Sequence, residues 1–421
     1  RKILVTDSHQ LAPPPRVERL LLFTARLSKL PPIHQSHTVV CLHQKTMPTK
    51  IHAYFVAVVV LWLFLVLAVN YLPSRSRMTT RGGIFRGIFR FSEPPKLASL
   101  QNERILVTGG AGFIGHHLIL ELKSRGVNVI GIDNFNDYYD TRLKRARANL
   151  SDVVIEADVC DSDKIHNVLN KHRITKVVHL AAQAGVRYAL KHPQAYVRSN
   201  VQCFVELLEV LKNTNTPLVY ASSSSVYGKN TKVPFTETDE VLQPRSLYAA
   251  TKRENELLAH VYWDLYKQQS IGLRFFTVYG PFGRPDMAYF SFTKNIMEGR
   301  PIAVFNHGKL SRDFTYIDDI VDGILRCLQI NFEYEILNLG RGQPQQLMTF
   351  IRTIEEALDT KAILEYQGMS KGDVLTTYAN VQKAKDLLGY EPKVSLKEGI
   401  TKFAKWYLNA YNASSSKSSA N

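Results

Sequence analysis

Residues 104 to 115 read Arg104-Ile105-Leu106-Val107-Thr108-Gly109-Gly110-Ala111-Gly112-Phe113-Ile114-Gly115. The run Arg104 to Thr108 has the character of a buried strand, and Ile114 to Arg125 that of an amphipathic helix opening on the last glycine. Gly109 permits the tight turn between them. Gly112 lets the backbone approach a pyrophosphate, and Gly115 lets helix and strand pack closely, with the helix amides facing the phosphates. Phe113 and Ile114 join these glycines in the expected cofactor cradle.

The next apolar run, Asn128 to Ile132, ends in Asp133, where the second strand of such a unit should end. Its carboxylate is placed to accept bonds from the adenosine ribose; the plainer alternative is a turn aspartate. No arginine stands among Asn134, Phe135, Asn136 and Asp137 to receive a 2′-phosphate, which favours NAD over NADP. Apolar strands then alternate with helices as far as Phe276: Val153 to Asp158, Lys176 to Leu180, a helix over Ala195 to Leu211, and a strand over Pro217 to Ala221. Asp158, Val159 and Ala181, at or just past two of these strands, complete the expected cofactor set. The alternation predicts an α/β fold, a doubly wound parallel-sheet Rossmann fold, over 101–276. A smaller, interleaved substrate-binding region is expected over 277–411.

Ser223 follows the strand Pro217 to Ala221, and Tyr248 and Lys252 lie four residues apart at the start of a helix. That spacing puts both on one helix face. A free tyrosine titrates near ~10, so a useful base at neutral pH needs a positive neighbour, which Lys252 and an oxidised nicotinamide would supply. Ser223 can hydrogen-bond the same substrate oxygen. The set describes hydride removal from a carbinol, against the bland reading of a solvated Tyr/Lys pair.

Six ordered blocks carry a resemblance to the extended short-chain dehydrogenase/reductase superfamily of nucleotide-sugar enzymes over roughly Asn102 to Tyr411. They are Thr108 to Gly115, His179 to Gly185, Ser222 to Gly228, Tyr248 to Lys252, Arg274 to Pro281 and Arg312 to Asp319. Within it the chain most resembles the UDP-glucuronate 4-epimerases, through Asn136-Asp137-Tyr138-Tyr139-Asp140, Gly283-Arg284-Pro285-Asp286-Met287-Ala288 and Phe305-Asn306-His307-Gly308. Related 4,6-dehydratases carry Thr-Asp-Glu in the segment where this chain has Ser223-Ser224-Ser225, and related decarboxylases a glutamate at the position of Ser225. Their absence implies return of hydride to C4 without further chemistry, which is epimerisation.

Oxidation at C4 of a glucuronate makes a β-keto acid, which loses carbon dioxide if its carboxylate turns the breaking bond parallel to the carbonyl π system. An epimerase must restrain that carboxylate. The resemblance implies that Ser224, Ser225 and Thr277 hydrogen-bond it and that Arg284 helps bind it. It adds Arg187 as a further substrate contact and Arg312 as a contact to the nucleotide portion, where a fork of donors suits a diphosphate. Loop arginines facing water, or paired with nearby acids, are the plain alternatives.

The formal charge of +16 is mostly N-terminal. Residues 1–100 hold 14 Lys and Arg against 3 Asp and Glu, leaving 39 against 34 for the rest. So modest an excess in the enzyme region, without a basic stripe interleaved with aromatics, argues against nucleic acid as partner. Ala53 to Leu72 is apolar but for Asn70 and long enough to cross a bilayer, so 47–72 is expected to be a membrane anchor; a signal peptide starting at Met47 is the rival. Residues 1–46 are an upstream segment without sustained pattern, 73–100 a stem, and 412–421 a Ser-rich disordered tail. Counting positive charges places the catalytic region in the cytosol, whereas the resemblance to plant enzymes implies a Golgi membrane protein facing the lumen. Four cysteines without close pairing predict no disulfide framework, and no cluster suits a metal. The resemblance is compatible with a homodimer. The competing functions are a neutral UDP-glucose 4-epimerase, a UDP-glucuronate decarboxylase and an NAD-binding scaffold without activity.

Overall fold

In a computed structural model of the chain, which describes residues 97–369 and 374–411, the glycine-rich stretch sits where its sequence predicts. β1 (Arg104–Thr108) feeds the turn, and the helix Phe113–Ser124 leaves it. β2 (Asn128–Asp133), β3 (Val154–Glu156), β4 (Lys176–His179), β5 (Leu218–Ser223) and β6 (Ser270–Phe275) follow, each separated by helix. After them come β7 (Thr277–Tyr279), β8 (Ile302–Val304), β9 (Ser311–Tyr316) and β10 (Tyr334–Leu339), then β11 (Pro344–Gln346), β12 (Leu364–Tyr366) and β13 (Thr376–Thr377).

Seven strands form one sheet in the order β10-β6-β5-β4-β1-β2-β3, and every pair is parallel. β1 and β6 are almost wholly buried, as parallel strands covered by helices on both faces must be. Strand order reverses direction between β1 and β4, the crevice where doubly wound sheets take ligands. β10 comes from beyond the catalytic segments yet pairs with β6 along its whole length, Tyr334 to Leu339 against Ser270 to Phe275. A smaller sheet joins β7, β9, β11 and β13, and β8 pairs with β12. This is the Rossmann α/β fold with a smaller, interleaved C-terminal part.

Several boundaries differ from expectation. The helix expected over Ala195 to Leu211 is instead a short turn Pro193–Tyr196, a π-helical segment Val197–Gln202 and a helix Cys203–Thr214. The expected absence of disulfides is corrected: Cys160 and Cys203, 43 residues apart, are bonded. Folding brings together the loop after β3 and the start of that helix, a proximity no linear spacing reveals. Asp158 lies beside them, but two sulfurs bonded to each other offer no thiolate to a metal.

Residues 1–46, the apolar segment Ala53 to Leu72, nearly all of the stem and the tail 412–421 lie outside the described residues. Among the described residues no helix is long and apolar enough to cross a membrane.

Candidate active site

The carboxyl ends of the central strands open into a cavity of about 1000 Å³. From the expected cofactor set, Gly109, Gly112, Phe113, Ile114, Gly115, Asp133, Asp158, Val159 and Ala181 all line it. So do Ser223, Tyr248 and Lys252, and from the substrate set Arg187, Ser224, Ser225, Thr277 and Arg284. Arg312 is not among the lining residues; its guanidinium donates to the carbonyls of Ser311 and Leu375. These bonds tie β9 to the chain before β13.

The fingerprint loop fits a dinucleotide. Gly109 adopts φ +68°, and a Cβ on Gly115 would lie 2.2 Å from the Gly109 carbonyl oxygen, so only glycine closes this turn. The helix that follows has Gly112 at its N-cap and no side-chain cap, leaving first-turn amides for an anion. Asp133 Oδ2 accepts from the Ala111 amide at 3.1 Å and Oδ1 from the Phe135 amide at 2.9 Å, which fixes the carboxylate at the end of β2. The sequence reading found no arginine there, yet a cation is present: Lys144 Nζ lies 3.8 Å from Asp133 Oδ1 and donates to Asn136. At the third strand end Asp158 accepts from Arg198 at 3.0 Å.

The helix Leu247–Tyr266, which carries Tyr248 and Lys252, is capped by Ser246, whose hydroxyl accepts from the Ala249 amide, so Tyr248 lies in its first turn. Asn200, buried in the π-helical segment, secures this helix to the cavity wall. Its side chain accepts from the Gln183 amide at 2.7 Å and donates to the Gln183 carbonyl and to Thr251 Oγ1. One turn past Lys252, Glu256 binds Arg274 of β6 through both oxygens at 2.8 and 2.9 Å and accepts from Ser222 of β5 at 2.6 Å. This buried pair registers the helix against the strand that delivers Ser223. Ser223 Oγ in turn donates to Ser225 Oγ and accepts from the Ser225 amide, so the serine run folds over the strand end.

Lys252 donates to the Ala221 carbonyl at 2.8 Å, and burial pulls its ammonium down to about 8. Burial raises the Tyr248 phenol; the Arg284 cation and the Ser223 hydroxyl oppose this, while Asp286 adds to it. Arg284 thus adds a second positive charge toward the phenol, beside that of Lys252 one helical turn away. Arg284 is itself bound to Asp286.

Beneath the sugar-facing loops lies Arg147, fully buried on the helix Thr141–Ser151. It donates to the carbonyls of Ala111, Phe282 and Gly283 and to the Tyr139 hydroxyl. One guanidinium therefore joins the fingerprint loop to the loop that carries Arg284.

The model of the NAD dependent epimerase/dehydratase family matches residues 105–340. The chain belongs to that family. Among its similar members, UDP-glucuronate 4-epimerase 3 of Arabidopsis thaliana is 46% identical over 346 residues, 77% of this chain and 80% of that protein. A protein of Methanocaldococcus jannaschii of no assigned activity is 50% identical over 317 residues, 73% of this chain and 97% of that protein. The crystal structure of a Bacillus cereus UDP-glucuronic acid 4-epimerase, in complex with UDP-glucuronic acid and NAD, superimposes with a TM-score of 0.69 at 34% identity, covering 73% of this chain and all of that one. The family region thus occurs in archaeal and bacterial proteins, whose cells have no Golgi. The Golgi-membrane placement expected from resemblance is corrected accordingly: likeness in the catalytic region carries no such address, and no described helix spans a membrane.

The roles of four residues of the cavity wall or its support escaped the sequence reading: Tyr138 and Asp286, which stand in the motifs that carry the resemblance, and Lys144 and Arg147, which stand in none. A local signal exists for two. Lys144 and Arg147 sit three apart in a helix whose buried face also includes Leu143 and Ser151, so two cations share its inner side. Tyr138 and Asp286 meet only through the fold.

Proposed function

We propose that this chain interconverts UDP-glucuronate and UDP-galacturonate by reversible oxidation at C4. The observation that carries the reading is the joining, in one cavity, of a dinucleotide cradle, a Ser223/Tyr248/Lys252 set and a carboxylate-sized group of donors. Ser224, Ser225 and Thr277 supply hydroxyls and Arg284 a guanidinium, and no acid among Ser223, Ser224 and Ser225 offers the extra proton chemistry of elimination. The similarity to UDP-glucuronate 4-epimerases supports the same substrate.

Tyr248 takes the proton from the C4 hydroxyl, with Ser223 holding the same oxygen. NAD, when bound, accepts the hydride from C4 and returns it, and its oxidised ring adds positive charge beside Tyr248. Lys252, fixed by the Ala221 carbonyl, anchors the nicotinamide ribose and supports the phenolate. The hydroxyls of Ser224, Ser225 and Thr277 hold the C5 carboxylate away from alignment with the C4 carbonyl, which suppresses decarboxylation. The keto sugar then turns about its diphosphate linkage and presents its other face, and Tyr248 returns the proton. Gly109, Gly112 and Gly115 hold the pyrophosphate, and Asp133 the adenosine ribose. Residues 101–276 act as the cofactor region and 277–411 as the substrate region, with β10 returned to the central sheet.

The test is proton NMR of the purified chain with UDP-glucuronate and no added NAD. A growing UDP-galacturonate signal is expected. Formation of a UDP-pentose would make the enzyme a decarboxylase, and turnover of UDP-glucose alone would make it a neutral-sugar epimerase.

A further inference from the structure

Arg284 and Asp286 both line the cavity on the loop after β7. Arg284 Nε donates to Asp286 Oδ1 at 3.0 Å and Nη2 to Oδ2 at 2.6 Å. Tyr138, 148 residues earlier in the chain, donates its hydroxyl to the same Oδ2 at 3.0 Å. The third partner is a space: Gly185 has φ +98°, and a Cβ there would lie 2.2 Å from Tyr138 Oη. Tyr138 packs edge-on against Tyr188, ring centroids 4.7 Å apart. Among the described residues Arg284 Nη1 has no hydrogen-bond partner, so one edge of the fork is occupied and the rest remains for a ligand.

An acidic sugar brings a second carboxylate to this fork. An arginine with no counter-charge would grip it through strong, charge-assisted bonds. In the reaction above, however, the carboxylate must leave its first set of contacts and form another while the ring turns over. Tight binding of the ground state or keto state slows that step without helping it.

We infer that Asp286, held in place by Tyr138, is a positioning residue that shares Arg284 with the substrate carboxylate and so keeps the grip weak enough for the 4-keto sugar to turn. The inference rests on UDP-glucuronate being the substrate, as proposed above. Burial pushes the Asp286 carboxyl up, but the Arg284 charge and the hydrogen bonds from Arg284 and Tyr138 bring it below its ordinary value, so it is anionic at neutral pH. Its side chain is 29% exposed, so the effect is screened and graded rather than absolute.

The test compares wild type, Asp286→Asn, Asp286→Glu and Tyr138→Phe as full-length holoenzymes. For Asp286→Asn, KM for UDP-glucuronate should fall about three- to ten-fold while kcat falls about ten-fold, the split expected when an intermediate is held too tightly. The near-ultraviolet absorbance of reduced nicotinamide should rise on mixing with substrate, because keto sugar and reduced cofactor accumulate together. Asp286→Glu should restore kcat and abolish that absorbance. Tyr138→Phe, which removes one hydroxyl, should shift both constants the same way by about two-fold, and it carries the test if Asp286→Asn does not fold. A raised KM, or unchanged constants without the absorbance, overturns the inference. Wild-type enzyme that leaves UDP-glucuronate untouched overturns the proposed function and this inference with it; wild-type conversion with unresponsive variants overturns the inference alone.

Discussion

The cofactor side of the cavity and its sugar side are built by different means. On the cofactor side the groups that matter are backbone atoms and the first residues beyond strands, set by the register of a seven-stranded parallel sheet. On the sugar side, beside the hydroxyls of Ser224, Ser225 and Thr277, stand long side chains from separate loops: Tyr138, Arg284 and Asp286, aimed by bonds to one another, and Arg187, held against a ring. Arg187, for instance, lies over the Phe305 ring, 4.8 Å from its centroid. A site made from backbone geometry fails abruptly when altered, because a strand end cannot adjust by an ångström. A site made from shared charges fails by degrees. Under the proposed function, chemistry common to many nucleotide sugars would fall to the rigid half and choice among sugars to the adjustable one.

The first way to break that contrast is Tyr248→Phe. Loss of the acid–base group should reduce kcat about 10²- to 10⁴-fold on acid and neutral sugars alike, read by NMR turnover; selective loss on one sugar would move Tyr248 to the sugar side. Next, the rigid half should be the acid-labile one. His116 on the fingerprint helix and His179 at the end of β4 are buried, and burial pulls both down to about 3, helped by His117 and Arg147 for the first and Lys252 for the second. The unfolded chain binds protons near ~6.5 that the fold refuses, so this stability is full above that value and drains as pH falls toward 3. Between pH 7 and 5 about 2 kcal/mol per histidine should be lost, seen as a falling urea midpoint; a flat midpoint would count against buried neutral imidazoles.

Gly115→Ala comes third. The added methyl meets the Gly109 carbonyl at 2.2 Å, a contact that costs about 1–3 kcal/mol and should appear as NAD lost during purification, measured as cofactor released per protomer. Smallest is Arg284→Ala, expected to lower kcat/KM for UDP-glucuronate about ten-fold relative to UDP-glucose, the lower end for a bond to a charged group. Equal loss on both sugars would remove Arg284 from carboxylate recognition and sharpen its other tie, to the Tyr248 phenol.

The same contrast explains what could be read before the fold was known. β1, the glycine turn and Asp133 lie within 30 residues, and each follows from a local rule about strand ends or φ above zero. Ser223, Tyr248 and Lys252 were legible because helix spacing places two of them together and a strand end the third. Asp286 and Tyr138 stand in motifs that carry the resemblance, but their bond has no local mark; it exists because folding brings the loop after β7 beside the loop after β2. The cysteines failed for the same reason: 43 residues separate a pair that folding brings to a Cα distance of 4.3 Å. In the helix Thr141–Ser151, Lys144 and Arg147 are buried, against the usual outward placement of such charges.

Arg147 has a mechanical meaning beyond the bonds it makes. Among the described residues no carboxylate pairs with it, so its charge is balanced only by the oxygens of Ala111, Phe282, Gly283 and Tyr139. Drawing the 282–283 loop away from the fingerprint loop would strand a buried cation, a cost far above that of breaking one neutral bond. The guanidinium therefore acts as a rivet through the cavity floor. Any breathing that admits and releases a nucleotide sugar must therefore leave this joint closed.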